Sequence, residues 1–282
     1  MWAAWQLQRH GVDVPPSGNL VSFDLMSAQF MRCAVEDHVA VVTMDRPPVN
    51  ALTLEVFSEM RQVFDELNDQ GNLRAVILTG AGRAFCAGAD LKSRGAEEQA
   101  PGELLNYLRA GREAINAIME CRIPVIGAIN GPALGGGVSI VASCDILLAS
   151  QEAVLGLPEI KVGLLGGGRH LMRLLPHSKV RRMVLTGHRI LATELHRLGV
   201  VEECVPLEQL MAAAHTLARE IASNSPVALR LAKHAMNAVE GMSIRDGFQF
   251  EHDLNNELSR FEDSREALRA FLEKRAPVFR GR

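Results

Sequence analysis

Three short apolar runs, AVILT at Ala75–Thr79, VIGAI at Val125–Ile129 and DILLA at Asp145–Ala149, constrain this chain more than any other feature. Runs this short and this apolar suit strands buried on both faces of a parallel sheet. Before the first, Val56, Phe57, Met60, Val63, Phe64 and Leu67 fall on one helical face, with Thr53 as cap and Gly71 as stop. A second helix is expected from about Gly102 to Met119. Strands alternating with helices predict right-handed crossovers and a mainly parallel sheet, an α/β fold. Upstream, Cys33–Asp45 (CAVEDHVAVVTMD) reads as a hairpin leading into a strand, stopped by Arg46-Pro47-Pro48. Ala153–Gly156 reads as a further short strand.

After Glu159 helical patterns take over, at Leu171–Leu175, Val180–Thr186, Leu207–Ile221, Val227–Val239, Ile244–Leu258 and Arg265–Lys274, with one β-like piece at Val200–Val205. The organisation is an N-terminal extension over 1–32 without sustained period, a core over 33–205 and a helical region over 206–282. The first thirty residues have the composition of neither a signal nor a transit peptide.

Composition narrows the partners. At 48% hydrophobic and 22% charged, the 282 residues bury a large core and are not a disordered chain. The formal net charge of -3 supplies no basic field, so nucleic acid is not an expected partner. A membrane span needs about 18 consecutive apolar residues, and the most apolar stretch, Val138–Ala149, is broken by Asp145. Cys33, Cys86, Cys121, Cys144 and Cys204 are odd in number and form no C-x-x-C pair. They read as reduced thiols in a reducing compartment, and no metal is expected because no His/Cys/carboxylate cluster has ligand spacing.

Three glycine clusters invite phosphate or nucleophile readings, and each fails. Gly80–Phe85 has Phe where a dinucleotide fingerprint needs its third glycine. Gly163–Gly168, followed by Arg169-His170, lacks the lysine and hydroxyl of a P-loop. Ser139 lacks the last glycine of a nucleophile elbow. Taken together, however, the small-residue loops Phe85–Leu91 and Gly131–Gly137 both follow buried strands, at the edge where α/β sheets bind ligands. A helix beginning at Gly135–Gly137 would offer free N–H groups to negative charge. Two such groups converging would make an oxyanion hole.

Five stretches in order then resemble the crotonase superfamily, the enoyl-CoA hydratase/isomerase family, over about residues 33–282. They are Arg46–Leu52 (RPPVNAL), Gly82–Leu91 (GRAFCAGADL), Ile129–Gly137 (INGPALGGG), Cys144-Asp145-Ile146 with Pro158-Glu159, and Phe271–Phe279 (FLEKRAPVF). The resemblance implies a crotonase-like spiral of ββα units with a C-terminal helical trimerisation region, assembled as a homotrimer or dimer of trimers. It implies an acyl-CoA substrate, no cofactor beyond the coenzyme A that is part of that substrate, and a cytoplasmic or mitochondrial-matrix enzyme. Ala89 and Gly136 would hold the thioester oxygen by their N–H groups, and each such donor contributes roughly 3 kcal/mol to the transition state. Ala87, Gly88, Asp90, Leu91, Lys92 and Gly135 would border the substrate and its coenzyme A. Lys274 would either reach a neighbouring subunit's coenzyme A phosphate or remain a solvated helix charge.

Hydratases resembling this chain carry two glutamates facing one water, one three residues after the oxyanion-hole glycine and one in a Pro-Glu dipeptide. Here the second is Glu159, the expected acid and base, while the first position is Ser139. Ser139 either lines a helix or holds a water or substrate group. Overall similarity points to enoyl-CoA hydratase. A one-carboxylate Δ3,Δ2-enoyl-CoA isomerase, another crotonase-type acyl-CoA lyase or decarboxylase, and a non-catalytic acyl-CoA-binding subunit stay open. His170, in a turn unlike that of the usual hydratase, is either a polar contributor to the acyl pocket or a surface side chain.

Overall fold

The computed structural model describes residues 21–22, 28–91 and 102–282. Lys92 and most of the extension expected over 1–32 therefore lie outside the described residues. The expected hairpin forms from β2 (Met31–Glu36) and β3 (Val39–Met44), and the short β1 (Val21–Ser22) pairs with β2. Asp37 and His38 turn it with φ of 46° and 68°, the left-handed pair whose twist matches that of a two-residue hairpin. Beyond β3 the ladder is parallel, through β4 (Ala75–Gly80), β5 (Val125–Ile129), β7 (Ile146–Ser150) and β10 (Glu203–Val205). A second sheet of β6 (Ala133–Leu134), β8 (Val154–Gly156) and β9 (Arg189–Leu191) stands beside it.

The parallel strands β4 and β5 are buried along their whole length because both their faces are covered. Val76 and Leu78 belong to the core beneath α1 (Leu54–Asn68) and α2 (Glu103–Met119), while Ala75 and Ile77 face the other way. All six apolar positions of the α1 stripe are buried, and Thr53 Oγ1 accepts from the Val56 N–H as its cap. Phe57 meets Tyr107 of α2 edge to face at 5.3 Å, over Gly111, where a Cβ would stand 3.1 Å from the Phe57 ring. Each fully buried Leu or Phe here contributes about 1.5–3 kcal/mol. On the opposite face α7 (Leu207–Ala222) lays Leu210, Ala214, Ala218 and Ala222 on Val39, Ala75, Ile77, Ile126, Ala128 and Leu148.

The helical region expected over 206–282 thus begins with a helix that belongs to the sheet. The remaining three, α8 (Pro226–Val239), α9 (Ile244–Leu258) and α10 (Glu262–Glu273), follow it outward. Lys233 ties α8 to the sheet, its Nζ 2.7 Å from Asp145 Oδ2 and donating to Ile123 O. Between β5 and β10 run four short helices, α3 (Gly136–Val141), α4 (Gly168–Leu171), α5 (His177–Thr186) and α6 (Ala192–Arg197), together with a 3-10 turn at Pro158–Val162. Among the described residues no helix is long and apolar enough to cross a membrane.

Candidate active site

The segment Arg46–Leu52 works as a splint for the loop after β4. Asn50, buried and held at φ 54°, donates through Nδ2 to the carbonyls of Ala81, Ala84 and Phe85 at 2.9–3.1 Å, and its Oδ1 accepts from the Arg46 N–H. Farther along, Ala87 N–H donates to Val49 O, Leu52 N–H to Gly88 O and Asp90 N–H to Leu52 O. Leu52 and Ala89 are therefore bridge partners, which turns the N–H of Ala89 away from Leu52. Among the described residues nothing accepts from that N–H.

The second loop closes on the first because glycines remove every side chain between them. A Cβ on Gly88 would stand 2.7 Å from Leu134 O and 3.4 Å from the Gly136 nitrogen. One on Gly136 would strike Leu52 Cδ1 at 2.7 Å, and one on Gly137 would strike Cys86 O at 2.5 Å. Gly135 adopts φ 56° and ψ −123°, outside the range of side-chain-bearing residues, and its N–H is taken by Gly156 O at 2.9 Å. Gly136 opens α3, so its own N–H has no helical partner, and among the described residues it has no other. Two backbone donors without a partner among the described residues, those of Ala89 and Gly136, thus belong to loops in close approach at Gly88.

Glu159 stands on the far side of Gly135. Its Oε1 would be 2.8 Å from a Gly135 Cβ and 3.5 Å from one on Gly166. Its Oε2 is buried with no hydrogen-bond partner among the described residues. Burial raises the carboxyl above its ordinary range, opposed in part by its own backbone N–H. Ser139, on the buried face of α3, brings Oγ to 3.3 Å from a Cβ placed on Gly167, beside Gly135 O at 3.6 Å from the same point. Among the described residues that hydroxyl makes no hydrogen bond. Gly135 and the Gly166-Gly167 turn thus bring the carboxylate and the hydroxyl to one place, next to the two free N–H groups. The arrangement can stabilise an oxyanion and move a proton beside it.

The structure brings Ala89, Gly136, Glu159, Ser139, Gly88 and Gly135 together. Ala87 lies on the same loop, its N–H committed to Val49, and Leu91 is exposed. Asp90, expected at the substrate, forms an ion pair with Arg46. Lys274 is exposed, far along the chain at the left-handed end of α10. His170 is half-buried, its pKa lowered by burial and by the charges of Arg173 and Arg169, and its ring makes no hydrogen bond among the described residues. Sequence reasoning missed the roles of Asn50, Arg46 and Leu52, and also that of Asn130, whose side chain accepts from Gly80 N–H and donates to Gly82 O. It missed Arg173 as well, which donates to Ala142 O at the carboxyl end of α3.

Comparison with known proteins adds to this geometry. A family model described as enoyl-CoA hydratase/isomerase matches residues 34–282. The short-chain-enoyl-CoA hydratase of Clostridium acetobutylicum is 38% identical over 245 residues, covering 85% of this chain and 93% of that protein. The (E)-benzylidenesuccinyl-CoA hydratase of Thauera aromatica is 37% identical over 254 residues, 88% of this chain and 97% of that protein. The crystal structure of an enoyl-CoA hydratase from Bacillus anthracis superposes with a TM-score of 0.86 at 35% identity, covering 90% of this chain and 100% of that one.

Proposed function

The chain belongs to the enoyl-CoA hydratase/isomerase family, and on that premise we propose that it adds water across the double bond of a 2-enoyl-CoA thioester. The observation that carries this reading is the buried Oε2 of Glu159 beside the N–H groups of Ala89 and Gly136, all three without a partner among the described residues. As the water oxygen bonds to C3, Glu159 takes a proton from that water. The π pair moves toward C2 and the thioester oxygen, where the two N–H groups meet the growing negative charge. C2 then takes the proton back from the Glu159 carboxyl, which returns to carboxylate. A single carboxylate thus serves as base and acid, a task suited by a pKa that burial raises above the ordinary carboxylate range. Ser139 Oγ holds the incoming water, a role supported by its free hydroxyl beside Gly167.

Coenzyme A is assigned to the loop Ala87–Lys92, without Asp90, whose carboxylate is engaged by Arg46. The expected homotrimer, or dimer of trimers, is supported by exposed Ile244, Phe248, Leu268 and Phe271 on α9 and α10, and in it Lys274 reaches a neighbour's phosphate. The five free cysteines support a reducing compartment, the cytoplasm or mitochondrial matrix.

One observation favours a second reading. With Ser139 in place of a second carboxylate, Glu159 is suited to take a proton from C2 of a 3-enoyl-CoA and return it to C4, isomerising the double bond without water. Crotonyl-CoA and 3-hexenoyl-CoA, each incubated with the protein in deuterated water and followed by mass spectrometry, separate the two. A 3-hydroxyacyl product from crotonyl-CoA is the expected result. The 2-enoyl product from 3-hexenoyl-CoA alone would replace hydration by isomerisation, and no product or deuterium from either would remove both.

A further inference from the structure

Arg46 and Asp90 meet through Nη2 and Oδ2 at 2.8 Å, with side chains only 24% and 16% exposed. Nη1 of Arg46 donates to Ala51 O at 3.2 Å, its backbone N–H donates to Asn50 Oδ1 at 2.9 Å, and its guanidinium lies 5.7 Å over the Phe30 ring. Arg46 is therefore fixed at both ends within the splint, and the remaining edge of its guanidinium grips Asp90. Asp90 is the residue directly after Ala89. Among the described residues its backbone N–H is bound to Leu52 O and its carboxylate to Arg46.

That second hold matters because the pairing of Leu52 with Ala89 is an isolated bridge, with no ladder continuing from it. The Ala87 N–H bond to Val49 O steadies the upstream side, and so short a pairing leaves the chain beyond Ala89 free to swivel. Hydrogen bonds weaken steeply as their angle closes, and an oxyanion donor acts only when aimed. A charge-assisted, largely buried pair one residue away removes that freedom.

We propose that the Arg46–Asp90 pair, backed by Asn50, is a positioning clamp that aims the Ala89 N–H at the thioester oxygen. Asp90 is thus a positioning residue and not a coenzyme A contact. The inference rests on the oxyanion reading of Ala89 and Gly136 but not on which reaction follows.

Acetoacetyl-CoA tests it, because the enolate of this β-ketothioester absorbs in the near ultraviolet and its bound fraction reports oxyanion stabilisation without turnover. The variants are Arg46→Met, Asp90→Asn and the two combined, each also assayed for kcat, KM, butyryl-CoA affinity and thermal midpoint. The unsubstituted protein is expected to show the enolate band. Each single variant should lose most of it and lower kcat by roughly 10- to 100-fold, with KM and butyryl-CoA affinity little changed. The double variant should be no worse than the poorer single, since both remove the same clamp. A raised KM in Asp90→Asn with the enolate band and kcat intact would overturn the clamp and make Asp90 a coenzyme A ligand. Additive losses would overturn it too, as would a lower thermal midpoint with an undiminished band. Absence of the band from the unsubstituted protein would instead remove the oxyanion reading and the clamp with it.

Discussion

In the proposed mechanism Glu159 moves the proton, and its burial fixes how it should respond to pH. Burial raises its pKa in the folded protein, so the folded state holds that proton more tightly than the unfolded chain does. Its contribution to stability is therefore full at low pH and is lost as pH rises through the raised folded value. Glu159→Gln should abolish turnover while retaining butyryl-CoA binding, and should melt higher than the unsubstituted protein at pH 8 but alongside it at pH 4. Calorimetric scans at the two pH values, with a binding titration, check this. In the unsubstituted enzyme, kcat/KM should rise with pH through a value above the ordinary carboxylate range, since the free enzyme needs the base ionised. The family resemblance singled out Glu159, Ala89 and Gly136 in the sequence, and the structure sets the three near one another. The role of Asn50 was not legible, because its chemistry lies in three carbonyls 31 to 35 positions away that no local pattern records. The ion pair of Asp90 was hidden for the same reason, as its partner Arg46 is 44 positions back.

Elements were legible in proportion to their length. The stripe of α1, the runs of β4 and β5 and the helix after Gly102 have enough residues to show a period or its absence, and they fold as expected. Strands β6 and β9, of two and three residues, carry no period at all and exist because Gly156 and its neighbours align them. That alignment supplies the carbonyl that holds Gly135, so the smallest strands support the site. The start of α3 is consequently specified by close approach, which gives a graded prediction. Gly163→Ala, where nothing lies within 4 Å of the new Cβ, should cost about 1 kcal/mol for its φ of 71° and leave activity largely intact. Gly136→Ala should cost about 1–3 kcal/mol by collision with Leu52 Cδ1 and displace the N–H donor. Because that collision is with a side chain, Leu52→Ala added to Gly136→Ala should recover part of the lost kcat, measured against the Leu52→Ala single variant. Failure of the second substitution to restore any activity would place the damage in the α3 backbone itself.

At the scale of the whole molecule, long-range polar ties fasten the C-terminal helices to the core, and α9 and α10 leave large apolar side chains exposed. Lys233 is buried against Asp145, so Lys233→Met, which strands the carboxylate, should destabilise by about 3 kcal/mol, read from denaturant midpoints. Asp263 does the equivalent for the C-terminus, accepting from Ser225 Oγ and from the N–H groups of Arg280 and Gly281, which returns the last residues to the start of α8. With the tail so fastened, α9 and α10 still present Ile244 at 94% and Phe271 at 79% exposure, with Phe248, Leu268 and Leu272 also exposed. Such exposed apolar side chains suit the proposed assembly with further copies of the chain. Ile244→Asp and Phe271→Asp should therefore lower the mass measured by light scattering on a sizing column, from a multiple of three chains toward one. If Lys274 of one copy serves the coenzyme A of another, the dissociated variants should also show a raised KM with an intact kcat at saturating substrate. A dissociated protein with unchanged KM would confine Lys274 to solvent, and an unchanged mass would take the interface away from these two helices.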